Sequence, residues 1–122
     1  MVGLHPLVAQ IIRLGMVINV INEYRKLNGK EPIFTWDYME NNHCLDHCHY
    51  LAWNDKFEYT PAHFLRYRKE TIARCEYRVS EEVTFNHLVY NCIDKNVILN
   101  SDKISYGFYV YQHKAYLVMR GW

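Results

Sequence analysis

No segment of this chain is long and apolar enough to cross a membrane. Its most apolar run, Leu14 to Asn22, is closed by Arg13 and Glu23, well short of the ~20 residues a spanning helix needs. The start, Met-Val-Gly-Leu-His-Pro, has no basic region of the kind that opens a secretory signal. Together these absences predict a soluble, cytoplasmic protein whose cysteines are reduced. A Cys-x-x-Cys knuckle is missing, which argues against a structural zinc site. There is no glycine-rich phosphate loop and no pair of catalytic carboxylates, so neither a cofactor nor an enzyme is expected. Charge of one sign is scarce: the formal net charge is +1, too little for a global field that draws in polyanions, so any basic site must be local. Repeats and low-complexity tracts are also absent.

What is present suits one globular domain. The chain has 122 residues, 50% of them apolar, enough to bury a core without staples. Eleven tyrosines stand out; tyrosine serves a core, an interface or a nucleic-acid surface equally well. The four cysteines, Cys44, Cys48, Cys75 and Cys92, read as core residues.

From Pro6 to Leu27, apolar residues follow helical spacing: Leu7, Ile11, Leu14, Ile18 and Ile21, widened by Val8, Ile12, Val17, Val20 and Tyr24. A helix apolar round most of its circumference must be covered on more than one side. Two readings stand: a central core helix, or a homodimer interface through Leu7, Ile11, Leu14, Ile18 and Ile21. Gly29 is the expected left-handed cap. Ile33 to Trp36 is an extended anchor, and Thr35 or Asp37 caps a second helix running to Trp53.

That second helix carries a dense polar cluster. His43 and His47 are four apart, as are Cys44 and Cys48. Each pair shares a helix face, and the two faces are about 100° apart. A His-x-x-x-His pair can ligate zinc, but two further ligands would have to come from a distance, from His63, Cys75 or Cys92. The weightier reading makes Cys44, Leu45, Cys48, Leu51 and Ala52 a core face with the histidines beside it, and no bound metal.

Asn54 to Lys56 is a turn and Phe57 to Tyr59 a short strand. Thr60-Pro61 is expected to open a third helix that buries Phe64, Leu65, Tyr67 or Arg68, Ile72 and Cys75. Its basic residues, Arg66, Arg68, Lys69, Arg74 and Arg78, form either a solvated face paired with Glu70 and Glu76 or a set of phosphate contacts. After the break Glu76 to Val79, Ser80 caps a fourth helix, with Glu81 and Glu82 at its positive end. Phe85, Leu88, Val89, Cys92 and Ile93 give this helix an apolar face. Thr84, Asn86, His87, Tyr90 and Asn91 lie opposite. Beyond Asn96 the period becomes alternating, with strands expected at Val97 to Leu99, Ile104 to Tyr111 and Ala115 to Met119, joined by turns at Asn100 to Lys103 and Gln112 to Lys114.

Helix, short turn, helix and β-ribbon is the order of a winged helix-turn-helix. Over about its last half, through ETIARC, EYR, VSEEVTFNHLVYNCIDKNVI and the strands that follow, the chain resembles that DNA-binding superfamily. The expected fold is therefore a single α+β domain: N-terminal helices (1–55, an extension and dimer interface) followed by a winged-helix-like helix-turn-helix and a three-stranded antiparallel meander (56–122). The resemblance implies double-stranded DNA as partner. It puts Thr84, Asn86, His87 and Tyr90 towards the bases, where asparagine pairs with adenine. It puts Arg66, Arg68, Lys69 and Arg74 on phosphates, and Lys103 and Lys114 at the tips of the wing. Two departures stand out: the turn has no glycine, and Glu81 and Glu82 would lie near phosphates. The function expected is non-catalytic DNA binding, by a regulator or replication-associated factor of a phage, virus or plasmid. The runner-up is a small phage-like interaction protein that inhibits a host protein. A metal enzyme built on His43 and His47 comes third.

Overall fold

Eight elements follow in order: α1 (Pro6–Leu27), α2 (Tyr38–Trp53), α3 (Ala62–Leu65), β1 (Lys69–Glu76), α4 (Glu81–Asn91), α5 (Lys95–Leu99), β2 (Ile104–Tyr111) and β3 (Lys114–Gly121). They are seen in a computed structural model that describes residues 5–33 and 37–122. Phe34, Thr35, Trp36 and the Leu7 side chain lie outside the described residues, so the expected anchor at 34–36, a cap at Thr35 and the Leu7 part of a dimer stripe are not placed. No described helix is long and apolar enough to cross a membrane.

The α+β class and the three-stranded antiparallel sheet are as the sequence indicated, but the strands are drawn from different places. The order is β1-β3-β2, with β3 central. Lys69 pairs with Gly121 and Glu76 with Lys114; Ile104 pairs with Gly121 and Tyr111 with Lys114. Segment 69–76, expected to be helical, is a strand. The expected helix closes after a single turn at Leu65, where Arg66 takes a left-handed φ of 60°. Ile72 and Cys75 fit a helical stripe on spacing alone. What decides between helix and strand is pairing with β3, far along the chain, and the adjacent β-branched Thr71 and Ile72 suit it. Val97 to Leu99, expected as a strand, is α5, because the Asp94 side chain accepts from the Asn96 backbone N–H and starts a helical turn. A short apolar run cannot by its own period tell strand from helix. The order helix, turn, helix, ribbon is thus present one element later than expected, in α4, residues 92–94, α5 and the β2–β3 hairpin. That hairpin turns through Gln112 and His113, at φ 49° and 65°, the left-handed pair of a tight two-residue turn.

Helices cover both faces of the sheet. On one face Ala73, Tyr106, Phe108, Ala115, Leu117 and Met119 pack against Val17, Ile21 and Tyr24 of α1 and Phe85, Leu88 and Val89 of α4. On the other, Ile72, Tyr116 and Val118 meet Cys44, Cys48 and Leu51 of α2. The segment expected as a helical extension therefore supplies one helix to each face. Gly107 lets α2 cross β2 at close range, and the Cys48 thiol donates to its carbonyl at 3.2 Å. Asn41 Oδ1 accepts from the Tyr106 N–H, blunting the β2 edge. An ion pair between Arg13 and Glu81 ties α1 to the start of α4.

Candidate nucleic-acid interface

At the end of the sheet where Lys69, Ile104 and Gly121 meet, charge is gathered inside and around the fold. Arg120, on β3, is buried. It donates through Nε to Glu70 Oε2 at 2.9 Å, through Nη1 to Glu40 Oε1 at 2.7 Å and through Nη2 to Thr60 Oγ1 at 3.1 Å. Glu70 closes the set by accepting from the Thr60 N–H and hydroxyl. Register explains the meeting: Glu70 and Arg120 are directly paired across β1 and β3, and α2 lays Glu40 over them. Burial acts to lower the Arg120 pKa, but the hydrogen bonds to Glu40 and Glu70 outweigh it and leave it raised. Arg68 stands next to this triad, its Nε 3.5 Å from Glu40 Oε2, beyond ordinary hydrogen-bond reach. Its guanidinium lies 4.7 Å from the Trp122 ring centre and 5.3 Å from that of Tyr67, at cation–π distance from both.

Outside the triad lies a recess in two parts, of about 550 and 850 Å³, which share Asp37, Met39 and Arg68. His63, Phe64 and Arg66 line the first; Tyr38, Tyr67, Lys103 and Trp122 line the second. Trp122 is held there because its backbone pairs with that of Lys103 in both directions. Lys69 is not part of this lining: it shares the opposite face of β1 with Thr71 and Ala73, and its Nζ donates to the Asn100 carbonyl behind α5 at 2.7 Å. Three acids also line the recess: Asp37, Glu40 and Asp46. Asp37 is engaged as the cap of α2 and Glu40 by Arg120, which leaves Asp46 on the α2 side.

Three of the expected phosphate contacts, Arg66, Arg68 and Lys103, are thereby brought to the recess, while Lys69 lies at the same end of the sheet on its other face. Arg74 and Lys114 are not among them. Lys114 starts β3 at the opposite end of the sheet, and Arg74, also towards that end, covers the Phe57 ring at 4.9 Å. The expected base readers on α4 are turned to other tasks. Thr84 is fully buried, donating to the Ser80 carbonyl and accepting from the Arg78 N–H. Asn86 donates back to Glu82 O, His87 lies between Arg78 and Asn91, and Tyr90 packs edge-on against Tyr24. An apolar-face pattern identifies a helix but not whether its polar side serves the fold itself. The aromatic lining of the recess went unread in the sequence, although Arg66-Tyr67-Arg68 alternates ring and cation in plain view; Trp122 gave no local signal.

The polar cluster of α2 divides as its core reading implies. Cys44 and Cys48 are buried against the sheet, and burial pushes both thiols up. His47 bonds the Glu58 carbonyl at 2.8 Å, and His49 stacks on Trp53. Among the described residues no three His, Cys, Asp or Glu side chains converge as a metal site. No protein-family model matches the chain, and no curated protein matches it either.

Proposed function

We propose that this protein binds DNA without catalysing a reaction, as an intracellular regulator or replication-associated factor of a phage, virus or plasmid. One observation carries the reading: Arg66, Arg68 and Lys103, from two distant parts of the chain, line one recess beside exposed aromatic rings at one end of the sheet. With a net charge of only +1, such a local gathering is what polyanion binding requires. The winged helix-turn-helix resemblance remains part of the proposal, with the first of its two expected helices, 69–76, being a strand. Binding of labelled DNA titrated with salt tests it. Affinity should fall steeply as salt rises, each phosphate contact adding about 0.7–0.9 to the logarithmic slope. No measurable binding at low salt would end the reading.

A second reading has an observation of its own. In the first turns of α1, Ile11 is 62% and Ile12 57% exposed, with Val8 beside them, while Ile21 lies in the core and Leu14 packs against it. Such an apolar patch suits a protein partner: a second copy of this chain in a homodimer, or a host protein that it inhibits.

A further inference from the structure

We propose that the recess takes single-stranded rather than duplex nucleic acid, with bases stacked on Tyr67 and Tyr38 and the phosphates met by Arg66 and Lys103. This rests on the DNA-binding reading and specifies the form of its ligand. The rings decide the matter. Tyr38 and Tyr67 are each 73% exposed and Phe64 66%, and all three line the same two-part recess as the cations. A duplex buries the faces of its bases in its own stack, so exposed rings add nothing to duplex binding; an unstacked strand offers a π-face at every base. The Arg68 guanidinium already lies against the Tyr67 and Trp122 rings. A base laid on the exposed part of Tyr67 extends a stack that the fold has begun.

The other half of the argument is what a duplex would need. Direct reading requires an element that enters a major groove about 12 Å wide. Thr84, Asn86, His87 and Asn91 of α4 are bonded within the fold, and α5 has only 5 residues. The cations gathered here line a recess rather than a protruding ridge. Asp46, on the α2 side, repels phosphate. The strand's backbone therefore follows the Arg66 and Lys103 side and its bases turn towards Tyr67 and Tyr38.

Fluorescence anisotropy with a short labelled oligothymidylate, single-stranded or annealed to its complement, tests this at low salt. The single strand should bind at least about tenfold more tightly than the duplex. Tyr67→Ala should weaken single-strand binding about 5- to 100-fold, the loss of one base stack. Tyr67→Phe, which keeps the ring, should restore it. Because Tyr67 is exposed, circular dichroism of both variants should match the parent protein. Equal affinity for the two forms, or a Tyr67→Ala variant that binds single strands as the parent does, overturns the inference and leaves DNA binding standing. Binding of neither form removes both.

Discussion

Gly107 lies directly beneath the backbone of Leu45: a Cβ at Gly107 would come within 2.6 Å of the Leu45 Cα and 2.5 Å of the Cys44 carbonyl carbon. Neither is the end of a flexible side chain, so α2 would have to lift from the sheet. Gly107→Ala should destabilise the protein by about 1–3 kcal/mol or more, read as a lower denaturation midpoint. Gly15, with nothing within 4 Å of an added Cβ, is the control; Gly15→Ala in the helix should be neutral or stabilising by up to about 1 kcal/mol.

Arg120 neutralises two carboxylates that the fold has taken out of water. Its removal strands Glu40 and Glu70 without their shared partner. Arg120→Ala should cost about 3–5 kcal/mol, measured by urea denaturation at neutral pH. Adding Glu40→Gln and Glu70→Gln to that variant should recover part of the loss. If the triple variant is no more stable than the single one, packing of the arginine stem rather than buried charge accounts for the effect.

The buried thiols set a limit on stability at high pH. In the unfolded chain a thiol ionises near about 8.5. Burial raises Cys44 and Cys48 above that. The folded protein therefore holds protons that the unfolded chain releases. Their contribution is fully present below about pH 8.5 and is lost as pH rises beyond it, by up to about 1.4 kcal/mol per pH unit for each thiol. Unfolding free energies measured from about pH 7.5 to 9.5 should show this fall, and Cys48→Ala should reduce its slope. At neutral pH the exposed Cys92 should react with a thiol reagent in the native state, whereas Cys44 and Cys48 should react only on unfolding.

The basic residues should divide by position. Lys103→Ala and Arg66→Ala should each weaken DNA binding and flatten the salt slope by about one unit or slightly less. Lys114→Ala, at the far end of the sheet, should leave the slope unchanged. Asn86→Ala should also have little effect, because its side chain is bonded to its own helix. A specific loss of about 1–3 kcal/mol in Asn86→Ala on one duplex sequence would restore α4 as a base-reading helix.

Association through α1 can be separated from folding. Ile11 and Ile12 are exposed, so Ile11→Glu with Ile12→Glu should leave the monomer folded. If this patch joins two copies, light scattering of the parent protein at high concentration should give twice the chain mass and the variant the chain mass. A parent protein that stays monomeric at high concentration removes the homodimer.

Local signals in the sequence determined what is local in the molecule. Asp37 and Ser80 cap α2 and α4, and Gly29 turns left-handed after α1, because each needs only its near neighbours along the chain. The division of α2 into buried cysteines and outlying histidines followed from helical period. Alternation marked 104–111 and 115–119 as strands, since sheet faces are set by the period itself. Tertiary structure decided the rest. Segment 69–76 carries spacing compatible with a helix, and only its pairing with β3 makes it a strand. Whether Thr84 reads a base or closes a cap depends on what lies over it. Arg68 and Lys103 are far apart in sequence and line one recess only because β1 and β2 both pair with β3, at Gly121. Periodicity records which face of an element is apolar; it holds no record of which distant element will cover that face, and the recess is made from just such distant pairings.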